Sequence, residues 1–593
     1  MKKIILLLLT ATSLMVACDD DFLEKYPETS ISRENFFKTE EDLMIYTYGL
    51  YDFEGVGKYV SDIGTDNQAT TGATEIKTMM TGTPSATSIT GGWNWDALKD
   101  INYFLESIKE TDLPEEVVNH YEGVARFFRA RFYVNKVKRY SDVPWYDFVL
   151  EPDDTEALMK ARDPRDVVWT KILEDYEFAR QNVRADQPEG AVNKWVVLTY
   201  MARHTLYEGT YRKYHSELGL ESTANDFLAI ARDAAHEVIN SGLYSIYSTG
   251  AGAQDYGSLF NSADLTGNAE VILTNISQDE IKNSGWWEYM FGNYEACPGK
   301  DLLQAYLNAD GSYYSELVDF ETKQFVDEFE NRDPRLYQTF AHPGWELINT
   351  ATYAQGGGIY IQQLQKNFSG YHQLKGFINN PDQTVLNNVD IPVLRYAEVL
   401  LTYAEARAEL AELTQSDLDV TVNAIRDRVG MPHLTLGVTA DLWQQEKYSN
   451  VASPVLLEIR RERRVELALE GFRMDDLMRW NAGHILEEEP RGLYFPGLGE
   501  YDLTGDGVED IKLIPASESV PATKETNSLG VPFIYYRVGD VSTDASFFLS
   551  DGEKGYVVAV EDRGVFQAPK YYYRPVPANQ VKLNPNLKQI FGW

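Results

Sequence analysis

Two cysteines and eight histidines in 593 residues leave little for chemistry that depends on thiolates or imidazoles. The histidines never form His-Glu-x-x-His: His236-Glu237 is followed by Asn240 where a second zinc ligand belongs. Scattered histidines and one cysteine beyond Cys18 give no zinc spacing either. No Gly-x-Ser-x-Gly elbow occurs. The nearest approach to a phosphate loop, Gly292 to Gly299-Lys300, has six intervening residues where four are needed, and Pro298 removes an amide. Basic residues are also in short supply, 54 against 91 acidic ones, for a net charge of −37. Such a surface repels nucleic-acid backbones and anionic bilayers, so neutral or cationic ligands, or locally basic partners, are expected. After Cys18 there is no apolar run of membrane-spanning length and no low-complexity linker.

What is present is a globular composition, 44% hydrophobic and 24% charged, with 38 Tyr, 26 Phe and 11 Trp. The aromatic surplus is dominated by tyrosine, which has one apolar face and one polar handle. At the N-terminus, Lys2-Lys3 precedes an apolar stretch from Ile4 to Ala17, the length of a signal h-region. Leu14-Met15-Val16-Ala17-Cys18 resembles a bacterial lipobox, with Met15 where Leu is usual. Residues 1–17 are therefore read as a removed signal peptide and Cys18 as the lipidated residue, which carries the net charge from −37 to −39. Asp19, Asp20 and Asp21 resemble the surface-export signal of Bacteroidetes-type lipoproteins, so lipid anchoring on the outer face of the outer membrane is expected.

The rest, 18–593, reads as one mainly α domain. Apolar residues at helical spacing (Leu394, Ala397, Leu401, Ala404, Ala408) mark one helix, with Pro392 at its start. Further helices are expected over 120–139, 166–184, 193–213, 224–241, 418–429 and 453–481. On the last, Glu458–Arg461 and Arg463–Glu466 are spaced to pair, before a break at Gly471. Paired helices rich in Ala and Tyr point to degenerate tetratricopeptide-type repeats, with the period interrupted by long, loop-rich insertions and small β elements at about 53–96, 243–300, 310–390 and 491–572. In the last insertion Asp502, Thr504, Asp506 and Asp510 fall at calcium-loop positions 1, 3, 5 and 9 with Gly507 at 6, but Leu513 stands where the bidentate Glu belongs. A structural calcium and a plain Asp/Gly turn are the two readings, and no other cofactor is called for.

Four blocks together resemble the SusD/RagB family of nutrient-binding outer-membrane lipoproteins: Cys18 to Pro27 with Ile31–Phe37 and Thr39–Leu43; 394–410 with Ala424–Pro432; Ile459–Trp480; and Arg574–Pro577 with Asn584-Pro585 and Gly592-Trp593. The tail Gln589-Ile-Phe departs from the family's usual Asn-Pro. The resemblance implies a non-catalytic, SusD-like binding protein that captures oligosaccharide or polysaccharide for a SusC-like TonB-dependent transporter. A glycan site needs flat aromatic platforms beside amides or carboxylates. Three loop clusters offer them: Asp66, Asn67, Trp93 and Trp95; Asn283, Trp286, Trp287 and Tyr289 near Cys297; and Trp345 with Tyr371. The rival use of any one Trp is packing, for Trp93 or Trp95 against the helix that follows. Two rival functions stay open. A surface glycoside hydrolase would turn over polysaccharide, its carboxylate pair being a matter of fold rather than spacing; a helical-repeat scaffold would have no glycan affinity.

Overall fold

The structure, a computed structural model, describes residues 36–278, 297–348, 358–379, 389–559 and 563–593. Residues 1–17, Cys18, Asn283, Trp286, Trp287 and Tyr289 lie outside the described residues.

Two helix pairs make the frame. Glu115–Tyr140 packs on Arg165–Asn182, and Lys194–Tyr214 on Ala224–Asn240. Both pairs run antiparallel: Arg129 reaches Asp175 in one, and Arg212 reaches Thr223 in the other. Glycine sets the closeness of each crossing. A Cβ on Gly123 would sit 2.8 Å from Val183 Cγ2, and one on Gly209 would sit 2.8 Å from Leu228 Cγ and 2.9 Å from its backbone nitrogen. The Lys194–Tyr214 helix starts where the Asn193 side chain accepts from the amides of Trp195 and Val196. It is buried on nearly every side, and so are charged members such as Glu208 and Arg212. Arg165 and Arg212 both bond Glu208, which leaves none of these buried charges alone.

A third layer, Tyr396–Glu409, packs against Ala224–Asn240 on one side and Pro454–Glu466 on the other. Pro392 does not open this helix. Ile391–Arg395 is a strand paired antiparallel with Val271–Asn275, and the helix begins after Arg395. The 453–481 stretch is likewise two helices, Pro454–Glu466 and Arg473–Arg479. Leu469 and Gly471 between them take φ of 60° and 83°, a backbone that ends a helix. Arg461 does pair with Glu458, but Arg463 turns to Asp476 across the break rather than to Glu466.

Glu466 is instead the hub of a buried ionic cluster. Its carboxylate accepts from Arg335 (3.0 Å), Arg395 (2.6 Å) and Arg428 (2.6 Å), and Glu270, Glu462 and Glu470 complete the set. These side chains come from separate stretches of the chain, so the cluster ties the insertions to the helical layers. Beyond it Gly499–Tyr501, Ile511–Pro515, Ile534–Gly539 and Phe547–Phe548 form a four-stranded sheet in the order 547, 534, 511, 499. Ile511–Pro515 and Ile534–Gly539 run parallel, and Leu513, Tyr536 and Val538 of this sheet share a core with Phe340, Leu469 and Leu493. No helix among the described residues is long and apolar enough to cross a membrane.

Candidate functional site

The Trp93-Asn94-Trp95 turn is held from below by the last turns of Glu115–Tyr140. Lys136 Nζ donates to the Gly92 carbonyl at 2.6 Å and also to that of Asn94; Arg139 Nε (2.9 Å) and the Tyr140 hydroxyl (2.8 Å) donate to the Gly91 carbonyl. Gly92 has φ of 90°, and a Cβ there would fall 2.5 Å from Arg139 Nε, so both backbone shape and space call for glycine. The two indoles meet edge to face with centroids 5.4 Å apart at 74°. Trp93 meets Tyr140 edge to face (4.8 Å), while Trp95 touches Phe132, Tyr133 and Tyr146. Both rings are half-buried and pack on this helix, with Trp95 reaching Tyr146 beyond it. Burial, with some help from Arg139, lowers the Lys136 ammonium to about 8, and its charge sits 5.1 Å from the Trp95 ring.

Opposite the turn, Pro577 and, from the short helix Ala578–Leu583 that follows it, Asn579, Gln580 and Lys582 form the second bank, pinned by the Ala578 amide to the Ala86 carbonyl at 2.8 Å. The groove between the banks encloses about 860 Å³. Its floor carries aromatic carbon and its rim exposed amides (Asn94, Asn579), which suits a ligand with C–H faces and hydroxyl edges. A smaller recess of about 120 Å³ is lined by Trp345, Tyr337, His342, Gln338 and Asn379. Trp345 is half-buried there, 5.8 Å from Tyr360, and burial lowers the His342 imidazole.

Other expected site residues are placed in the framework, and their assignment to a binding face is corrected accordingly. Asp66 is 3% exposed and gives both carboxylate oxygens to Arg473, at 2.7 and 2.6 Å, with Arg464 at 3.0 Å. Burial pushes its carboxyl up, but the Arg464 and Arg473 guanidiniums outweigh that and hold it far below the usual range. Asn67 donates to Asp62 (2.9 Å) and accepts from Arg464 (2.9 Å), so its amide is committed as well. Tyr371 is wholly buried with its hydroxyl donating to Glu328 at 2.6 Å. Cys297 is buried in a strand paired with Gln68–Ala69.

The Asp502–Asp510 loop closes on its own backbone. Asp502 accepts from the amides of Thr504 (2.9 Å), Gly505 (2.6 Å) and Gly507 (2.9 Å), Asp510 from those of Leu503 and Thr504, and Asp506 from Val508. Amide hydrogens converge on the oxygens that a cation would need, and no group of three metal-type side chains gathers among the described residues. The donor set fits the Asp-capped turn better than a cation cage.

Missing from the sequence reading were the supports of the groove: Lys136, Arg139, Tyr140 and the Asn579-Gln580 bank. Gly91-Gly92 directly before two tryptophans was the available signal, since paired glycines mark a chain approached closely from behind.

The helical scaffold with its long insertions carries, among the described residues, an open groove lined by two indoles and exposed amides. Residues 260–593, more than half of the chain, match the SusD family, and the protein belongs to that family. SusD-like protein P2 of Formosa agariphila is 24% identical over 515 residues, 82% of this chain and 92% of that protein. The fold is similar to the crystal structure of a SusD-like carbohydrate binding protein from Bacteroides fragilis, with a TM-score of 0.65 and 21% identity, covering 93% of this chain and all of that one. A further structure, solved with xylogluco-oligosaccharide, has a TM-score of 0.57 and 16% identity, covering 93% and 99% of the two chains.

Proposed function

We propose that this protein is a cell-surface lipoprotein, anchored through Cys18, that captures oligosaccharide or polysaccharide without cleaving it and passes it to a SusC-like TonB-dependent transporter. Family membership supports the class, and the names of two structural relatives, one carbohydrate binding and one solved with xylogluco-oligosaccharide, support the ligand. The observation that carries the reading is the groove: two indoles at 74° over a rigid helix end, faced by Asn579 and Gln580. A sugar ring stacked on one of these indoles would bring its hydroxyls within reach of amides on both banks. Binding of this kind needs no titrating group and is compatible with a chain of net charge −37. The Trp345 recess would serve as a second, shallower platform.

The test is retardation in native gels cast with a panel of soluble polysaccharides, xyloglucan included. Trp93→Ala and Trp95→Ala should each weaken retardation by about tenfold, from lost stacking and buried area, with the circular dichroism unchanged. Unaltered retardation in the double variant would remove the groove from the site, and product release from any polysaccharide would replace capture with hydrolysis.

A further inference from the structure

The two banks of the groove have one anion in common. Behind the first bank, Arg139 Nε donates to the Gly91 carbonyl at 2.9 Å, and the other two nitrogens of that guanidinium donate to the two carboxylate oxygens of Glu75. A Cβ on Gly91 would lie 3.9 Å from Glu75 Oε2, so the carboxylate sits close to the chain that leads into Trp93. On the other side, Arg574 stands three residues before Pro577, where the second bank begins. Its Nε donates to Glu75 Oε1 at 2.6 Å, its backbone N–H to the Arg139 carbonyl at 2.7 Å, and its Nη1 to the Tyr571 carbonyl at 2.7 Å. Glu75 is the first residue of the helix Glu75–Thr81, an end that favours an anion.

The charges at this link do not balance without Glu75. Among the described residues, it is the only carboxylate paired with Arg139 or with Arg574. The two guanidiniums share its Oε1, and their side chains are only 25% and 13% exposed. Cations gathered on one oxygen repel each other, the more so where water is partly excluded. Burial pushes the Glu75 carboxyl up, but Arg139 and Arg574 outweigh it and hold the group below its ordinary 4.5, so it is ionised at neutral pH. With that charge removed, attraction between the two sides gives way to repulsion. The backbone bonds from Arg574 to Arg139 and from Ala578 to Ala86 would remain, so the banks stay tethered and shift apart rather than come loose.

We propose that Glu75 is a positioning residue of the groove, a single carboxylate that draws both banks together through Arg139 and Arg574 and so sets the width open to a ligand. It lies outside the groove lining and acts only through the two arginines. Its consequence for binding rests on the groove being the glycan site; its control of the width does not.

Nitroxides on Thr90→Cys and Asn579→Cys, exposed positions on opposite sides of the groove, read that width without ligand in the chain carrying Cys18→Ser, since Cys297 is buried. Glu75→Gln should lengthen the spin–spin distance. Glu75→Gln/Arg574→Gln, which removes one of the two opposed cations, should bring it back toward the parent. In native gels Glu75→Gln should weaken retardation by each polysaccharide that the parent binds about tenfold, and the double variant should recover part of the loss. An unchanged distance in folded Glu75→Gln, a double variant as wide as the single one, or full retardation in a widened groove would each overturn the inference. If Trp93→Ala/Trp95→Ala leaves retardation unaltered, the glycan assignment of the groove falls, and the spin–spin distance alone decides the role of Glu75.

Discussion

Glu466→Gln is the sharpest perturbation the fold offers. The side chain is fully buried and its two oxygens serve three guanidiniums, Arg428 and Arg395 at 2.6 Å and Arg335 at 3.0 Å. Glutamine keeps the shape but withdraws the charge and turns an amide N–H toward at least one arginine. Breaking a buried pair typically costs about 3–5 kcal/mol. Here the arginines keep other partners: Asp333 and Glu462 for Arg335, Glu270 and Glu470 for Arg395, Glu270 for Arg428. The loss should therefore fall near the lower figure, about 3 kcal/mol. Urea unfolding followed by tryptophan fluorescence reads it as a lowered midpoint, with Glu174→Gln, half of the exposed Lys171–Glu174 pair, as the control at under about 0.5 kcal/mol. A pH series gives a second readout. Burial pushes the Glu466 carboxyl up, but Arg428, Arg395 and Arg335 hold it well below its ordinary 4.5. Its stabilisation is complete above that ordinary value and is lost as pH falls toward the folded one, so the acid limb should flatten in the variant. If Glu466→Gln unfolds with Glu174→Gln, the cluster does not hold the layers together.

Three further perturbations probe other parts of the molecule. Gly209→Ala puts a methyl 2.8 Å from Leu228 Cγ and 2.9 Å from its backbone nitrogen, and should cost about 1–3 kcal/mol by forcing the second helix pair apart; an unchanged urea midpoint would contradict the close crossing. Lys375 is fully buried, and burial lowers its ammonium to about 7 although Glu470 opposes the shift. The unfolded chain then binds the extra proton between that value and the ordinary 10.5, so this group makes stability rise with pH across the window; comparing midpoints at neutral and mildly alkaline pH, Lys375→Met should climb less than the parent. For the Asp502–Asp510 loop, calcium and a chelator should give the same melting temperature, because backbone amides already satisfy Asp502 and Asp510. A calcium-dependent rise would restore the cation reading.

How much of this was legible follows from what kind of force places each residue. The helices over 193–213 and 224–241 lie within about a residue of Lys194–Tyr214 and Ala224–Asn240, because helical spacing is a local property. The repeat itself carries a signature: Tyr121-Glu122-Gly123 and Tyr207-Glu208-Gly209 put the glycine at the crossing of each pair. The tryptophan turn could be picked out because two indoles beside glycines carry no helical period. Asp66 and Asn67 misled for a physical reason. A loop Asp-Asn is ordinarily exposed, and only Arg464 and Arg473, distant in sequence, draw the pair inside.

The same long-range pairing explains why the core escaped a reading based on apolar spacing. Among the largest fully buried side chains, Arg212, Arg332, Arg335, Arg395, Arg460 and Arg479 stand beside Trp169 and Trp480. An apolar seam is non-directional and would let insertion and helical layer slide over one another. Guanidiniums cannot: Arg395 satisfies Glu270, Glu466 and Glu470 at one placement of its strand against the Pro454–Glu466 helix. Because each member serves several partners, a change at one disturbs several pairs at once, and such a cluster resists gradual change. The segment that carries Asn579 lies outside these ion pairs, held by the Ala578 amide on the Ala86 carbonyl, so changes in it need not disturb them.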